Sequence, residues 1–373
     1  MRICVDASPA VHHRAGFGRY AQELIGALLA VDQNNQYVAF YNQPAEAQVD
    51  PPLDRIPHLT TNLSAKPWRM SALVAHVARI PQERLFPDVD IFHATDNVLP
   101  RFLRVRSVFA LQDLTFRLYP DTHKPLNRWY LAMMMPRFLE AADAVVAISE
   151  CTKKDAVRLY GLDEARIRVI HAGVNPRFRT SLPEATTPTL QKYRLSGGFI
   201  LFVGTIEPRK NLTSLLEAYR ALKNEGIGRK LVIAGRKGWS YQGFFRRLRE
   251  LGLEGDVILP GFVPDEELPA LYGAADLFVY PSLYEGFGLP LLEAMACGVP
   301  VIASNSSSLP EVAGEAALLV DPISVQALVG AMRRVLDDRG LREEMRERGL
   351  QRARRFTWEE AARRTVEVYE EVL

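Results

Sequence analysis

The stretch that most constrains how this chain folds runs from Leu277 to Ser304. Leu277–Tyr280 is a short apolar run of strand composition. Gly286-Phe287-Gly288 is a loop that only small residues fold tightly. Pro290 stands where the first turn of a helix tolerates a proline. Leu291, Leu292, Met295 and Ala296 carry that helix to a stop at Gly298-Val299-Pro300, and Val299–Ala303 reads as the next buried strand. Strand, glycine-rich turn, helix and strand in succession make a unit of an α/β parallel sheet, whose ligands sit at the carboxyl ends of its strands.

Two carboxylates bracket the loop, Glu285 before the glycines and Glu293 inside the helix, in a Glu-x7-Glu spacing. Amides at a helix N-terminus favour an anion. A carboxylate cannot hold an anion, so Glu285 and Glu293 are expected to meet hydroxyls. An anion and hydroxyls in one pocket describe a sugar nucleotide.

The rest of the chain repeats the pattern. Its 373 residues suit two domains. With 48% hydrophobic and 24% charged residues, disordered and fibrous classes are excluded. A net charge of +2 gives no support for a nucleic-acid partner. Cys4, Cys151 and Cys297 have no metal-ligand spacing, which points to a reduced, cytoplasmic setting. Met1–Asp6 enters a strand directly, without the pattern of a signal peptide. No apolar run reaches the roughly 18 residues a membrane span needs. Lys66–Met70 and Asn127–Arg137 mix apolar residues with cations. They leave open a peripheral contact of the N-terminal domain with the inner face of a membrane, although apolar residues at helical spacing more often form core.

In the first half, strands are expected at Ile3–Val5, Tyr37–Tyr41, Ile91–His93, Ser107–Leu111, Ala144–Ile148 and Ile167–Ile170, with helices at Tyr20–Leu29 and Arg128–Ala142. Gly16 and Gly18 open the first long helix. A dinucleotide turn there would want an acid at the end of the next strand, where Asn42-Gln43 stands, so a phosphate- or sugar-facing loop is expected instead. His93 and Asp96 follow one strand, and Gln112 and Asp113 another. In the second half, Phe199–Val203 is a buried strand leading into Glu207-Pro208-Arg209-Lys210-Asn211 and a helix from Leu212. Cations at a helix start oppose its dipole, so Arg209 as a planar fork and Lys210 as a point charge are explained by a bound diphosphate.

The 280–304 stretch, Gly204–Asn211, Leu231–Gly235 and Gly261–Pro264, in this order, resemble the retaining nucleotide-sugar glycosyltransferases of family 4, the group 1 enzymes, and among them bacterial mannosyltransferases. The resemblance implies a GT-B fold, two facing Rossmann-like domains with a cleft between them. It places an N-terminal acceptor domain at 1–180, a Pro-, Thr- and Ser-rich linker at 181–197 and a donor domain at 198–355. Helix 356–373 packs back toward the first domain. It implies donor binding by Gly16, Gly18, Arg209, Lys210, Phe262, Val263, Glu285, Gly286, Phe287, Gly288, Leu289 and Glu293. Catalysis falls to Glu285, Asp113, Arg209 and Lys210, and the sugar or acceptor side to His93, Asp96, Gln112 and Asp113. No cofactor is expected and no metal, because Arg209 and Lys210 take the leaving-group charge. The partners are a nucleotide-sugar donor, GDP-mannose or a UDP-sugar, and a saccharide or lipid-linked acceptor. The family commonly has His-Asp where this chain has Gln112-Asp113. Gln112 cannot shuttle a proton near neutral pH, and two readings of His93 stay open, a replacement imidazole or a structural histidine. An epimerase of the same fold, or a non-catalytic binder of sugar nucleotides, is the alternative function.

Overall fold

The computed structural model describes residues 1–180, 183–196 and 198–373. Two compact units divide them. The first comprises residues 1–117, 125–173 and 357–373, and the second residues 118–124 and 174–356.

The first unit is built on seven parallel strands, β1 (Arg2–Asp6), β2 (Gln36–Asn42), β3 (His58–Thr61), β4 (Ile91–Ala94), β5 (Arg106–Leu111), β6 (Ala144–Ala147) and β7 (Ile167–Val169). Their order is β3-β2-β1-β4-β5-β6-β7. β4 and β6 are buried along their whole length, as near-continuous apolar runs require in a parallel sheet. Edge strand β3 alternates exposed and half-buried residues. The second unit carries six parallel strands, β8 (Phe199–Val203), β9 (Leu231–Ala234), β10 (Val257–Gly261), β11 (Ala275–Tyr280), β12 (Val301–Ser304) and β13 (Ala317–Val320). Their order is β10-β9-β8-β11-β12-β13. Both sheets are doubly wound, the Rossmann-like arrangement expected from the sequence. The strand order reverses at β1/β4 in one and at β8/β11 in the other, and such reversals open a ligand crevice at the carboxyl ends.

The linker expected at 181–197 holds structure of its own. Helix Pro183–Lys192 begins on a proline and runs through Pro188. Lys192 and Tyr193 bind Glu267, each at 2.6 Å, which ties the segment to the second unit. The residues that suggested a linker are helix starters and turn formers in an ordered element; Ser181, Leu182 and Gly197 lie outside the described residues.

The last helix, Trp358–Glu371, belongs to the first unit. Thr357 caps it by accepting from the Glu360 amide at 3.2 Å. Its apolar face packs on helix Ala15–Val31, with Trp358 edge-on to Tyr20 at 5.8 Å. Among the described residues, no helix is long and apolar enough to cross a membrane.

Candidate functional site

The reversal point of the second sheet gathers the charged residues. β8 ends at Val203 and the chain leaves it through Gly204. A Cβ on Gly235, at the end of β9, would stand 1.9 Å from the Gly204 carbonyl oxygen, so glycine alone permits the two loops to meet. The pairing continues beyond the strands, with the Ile206 amide donating to Arg236 at 2.9 Å and the Gly238 amide to Ile206 at 3.0 Å. This holds the short 3-10 turn Pro208–Lys210 at the sheet end. Asn211, with φ of 53°, turns the chain into helix Leu212–Asn224, and its side chain donates to the Pro322 carbonyl at 2.6 Å.

From that turn Arg209 and Lys210 reach the loop after β11. Arg209 donates to Glu285 at 2.8 Å, to Glu207 at 2.8 Å and to the Tyr284 carbonyl at 2.7 Å. Lys210 donates to the other Glu285 oxygen at 2.6 Å and to the Tyr280 hydroxyl at 2.9 Å. Glu285, Glu207 and Lys210 are all buried. Burial alone would raise the Glu285 carboxyl; the Arg209 and Lys210 charges outweigh it and hold the group at about 2. Burial also pushes Glu207 up, with both cations opposing, and pulls Lys210 down, with Glu285 opposing. Glu285 is therefore ionised at neutral pH and is the anion that both cations hold.

The Glu285 loop is fixed by three serines. The Glu285 amide donates to Ser307 Oγ at 2.9 Å. Ser308 Oγ donates to the Glu285 and Phe287 carbonyls at 2.9 and 2.8 Å. Ser306 Oγ donates to the Leu283 carbonyl at 3.0 Å. Gly288 has φ of 111° and lies so close to Leu309 that a Cβ would meet its side chain at 2.7 Å. Gly286 and Phe287 thus pass directly into helix Leu289–Ala296, with Pro290 in its first turn. On that helix Glu293 is 1% exposed and accepts from the Tyr272 hydroxyl at 3.0 Å. It is far more enclosed than its expected contact with ribose hydroxyls suggests. After β10, Phe262 is exposed with the Arg236 guanidinium 4.0 Å from its ring centre, and Val263 is buried.

In the first unit the reversal point collects a second polar group. Gly18 packs against the Pro9 carbonyl, where a Cβ would come within 2.7 Å, whereas Gly16 has open space around it. Asp96 pairs with Arg14 and accepts from the Asn97 amide at 2.8 Å. Asp6, at the end of β1, accepts from the Ser8 amide at 2.9 Å. Burial first, and then the Asp96 charge, push the Asp6 carboxyl up to about 7. Gln112 is buried and donates to the Thr95 carbonyl at 3.2 Å. Asp113 accepts from the Thr115 amide and hydroxyl at 3.0 and 2.6 Å, which makes it the cap of the turn Thr115–Leu118.

His93, expected among the sugar-facing residues, is engaged inside the first unit through one of its two ring nitrogens. His93 is 0% exposed, and its Nδ1 bonds the Tyr369 hydroxyl at 2.6 Å, clamping the last helix to the sheet. Burial lowers its ring to about 3 and keeps it neutral. Tyr369 stands far from His93 in the chain, so nothing local to His93 announces this bond.

Arg209, Lys210 and Glu285 are thus brought together as the motifs suggest. Glu207, Tyr280 and Ser306–Ser308 complete the site. A triple serine before a helix was the available signal for the last of these.

Residues 192–352 match the family described as "Glycosyl transferases group 1", and residues 14–178 match "Glycosyltransferase Family 4". The chain is 33% identical to the O-antigen chain mannosyltransferase B of Escherichia coli, over 99% of each chain. Among solved structures, sucrose-phosphate synthase from Thermosynechococcus elongatus superposes with a TM-score of 0.78 at 20% identity, over 100% of this chain and 99% of that one. Anabaena HepE in complex with UDP-glucose gives 0.76 at 19%, over 100% of both. These two share the GT-B fold with this chain.

Proposed function

The chain belongs to glycosyltransferase family 4, the group 1 glycosyl transferases, and on that premise we propose that it moves mannose from GDP-mannose to a saccharide hydroxyl, with retention, in the synthesis of a cell-envelope polysaccharide. The single observation that carries the site assignment is the buried Glu207–Arg209–Lys210–Glu285 cluster at the reversal point of the second sheet. The likeness to an O-antigen mannosyltransferase over nearly the full length supports mannose, and a UDP-sugar is the nearest rival donor.

Arg209 and Lys210 supply the fork and the point charge that a diphosphate needs. An incoming diphosphate competes with Glu285 for the same N–H donors. Once displaced, the Glu285 carboxylate is available to the donor sugar, where it stabilises positive charge developing at the anomeric carbon. Glu293, held by Tyr272, is assigned the ribose hydroxyls, and Phe262 and Val263 the base. The bond between the anomeric carbon and the diphosphate oxygen breaks. The acceptor oxygen bonds to that carbon on the same face, and its proton passes to the departing diphosphate. The acceptor, free or lipid-linked, is assigned to the first unit, on the side of Asp96, Gln112 and Asp113.

Incubation with GDP-mannose and an oligosaccharide acceptor tests this. Expected are GDP release that depends on the acceptor and a product with the donor's anomeric configuration by NMR. Activity should survive EDTA, because two cations already meet the charge a divalent ion would balance. Loss with EDTA and recovery with Mn²⁺ contradicts that phosphate assignment. Turnover of the donor to an epimer without acceptor would favour the epimerase, and binding without turnover the non-catalytic protein.

A further inference from the structure

The two stretches that mix apolar residues with cations divide their side chains between core and solvent. Trp68, Tyr130, Leu131, Met134 and Met135 enter the core of the first unit. Met70, Leu126 and Trp129 do not; Leu126 is 81% and Trp129 56% exposed. Among the described residues, every large exposed apolar side chain except Phe262, Ile323 and Leu373 lies between Leu63 and Trp129.

Most of those side chains stand on elements that hydrogen bonds join to one another. Met70, Val74 and Val77 follow one another at helical spacing on helix Ala65–Ala78, and Ile80 continues the line. At one end Arg69 donates to Asn127 at 2.9 Å and lies over the Tyr130 ring at 5.5 Å, which joins this helix to the start of helix Pro125–Ala141 with Leu126 and Trp129. At the other end the Gln82 amide donates to Arg101 at 2.9 Å and the Arg104 amide to Glu83 at 3.1 Å. These bonds tie the segment that follows Ile80 to the loop that carries Leu103. The charges on helix Ala65–Ala78, at the centre of these side chains, are of one sign. No acid occurs between Asp54 and Glu83, whereas Lys66, Arg79, Arg84, Arg104 and Arg128 all stand exposed. Of the acids in the same stretch of chain, Glu83 accepts from the Leu103 and Arg104 amides and Asp90 from the Arg2 amide, while Asp88 and Asp121 stand exposed and are outnumbered by these cations.

We propose that this face of the first unit docks on an anionic lipid surface, with Met70, Val74, Val77, Ile80, Leu126 and Trp129 entering the interface and the surrounding arginines and lysines meeting headgroups. The charge pattern selects the occupant. A second copy of the chain joined by a two-fold axis would set the same cations against each other; a layer of anionic headgroups complements them. This docking stands apart from the transfer reaction.

Co-sedimentation of the full chain with vesicles tests it, in the absence of donor and acceptor. Binding should be at least about tenfold stronger to phosphatidylcholine vesicles carrying phosphatidylglycerol than to phosphatidylcholine alone, and should weaken as salt is raised. Val77→Glu, a change on the solvent side of its helix, should lower binding by about tenfold, whereas Ile323→Glu, on the second unit, should leave it unchanged. Both variants should keep GDP release with a soluble acceptor, so failure here is distinguishable from failure of the transfer assignment. Equal binding to the two vesicles would overturn the proposal, as would indifference to Val77→Glu, or a dimer in solution that Val77→Glu dissociates.

Discussion

Glu285→Gln should cut turnover at saturating donor by about a hundredfold or more, while the nucleoside diphosphate product binds more tightly than to the parent enzyme. The two effects have one cause. Glu285 is an ionised carboxylate held at about 2 by Arg209 and Lys210. The substitution keeps the size of the side chain and removes its charge. At the anomeric carbon, stabilisation of developing positive charge is lost, and a single preorganised charged contact of this kind is worth about 3 kcal/mol in the transition state. At the diphosphate, the anion that competes for the Arg209 and Lys210 donors at 2.8 and 2.6 Å is gone. A charge-assisted hydrogen bond contributes about 1.5–3 kcal/mol, so freeing even part of one tightens product binding by up to about tenfold. Steady-state kinetics with product-inhibition analysis reads both. A variant with full turnover, or one in which turnover and diphosphate affinity fall together, would mean that Glu285 serves only to hold the cations in place.

Lys210→Met should lower stability by about 3 kcal/mol, because it leaves a buried carboxylate with half of its counter-charge. Lys210 is 7% exposed, and its ammonium binds Glu285 and Tyr280. For a unit of this size the loss corresponds to a fall of about 6–12 °C in the thermal midpoint. The pH dependence identifies the cause. Glu285 has a folded value of about 2, below its ordinary 4.5, so its contribution is fully present above about pH 4.5 and is lost as pH falls toward 2. Removing Lys210 raises the Glu285 carboxyl. The gap between parent and variant is therefore widest at neutral pH and narrows in acid. A gap of the same width from pH 7 down to about pH 2 would assign the loss to packing against Tyr280 instead.

The two-sheet architecture was legible because buried parallel strands are long apolar runs between helical patterns. Phe199–Val203, Leu231–Ala234 and Ser107–Leu111 need no partner to be recognised. β3 was not, since His58-Leu59-Thr60-Thr61 is a short edge strand with alternating exposure and little apolar content. β13 was missed for a related reason, as most of its residues are only half-buried. Helix Pro183–Lys192 was hidden by two prolines and a run of threonines that look like a linker. The charged site was legible where glycines and cations lie together in sequence, as at Gly204–Lys210 and Glu285–Gly288. Its counter-ion arrangement was not, because whether Arg209 faces a ligand or Glu285 depends on two loops being brought together by the sheet. His93 shows the same limit. Its partner Tyr369 is on the last helix, and only the packing of that helix on the first unit brings the two together.

The Arg209–Lys210 cluster is the proposed diphosphate site of the second unit. Calorimetric titration of GDP and UDP into the parent chain and into Arg209→Ala tests it most directly. Arg209→Ala should keep the parent's circular dichroism spectrum and bind the preferred nucleotide about thirtyfold more weakly, the loss of about 2 kcal/mol expected from one charge-assisted contact. Equal affinity in the two proteins would place the diphosphate elsewhere and contradict the account.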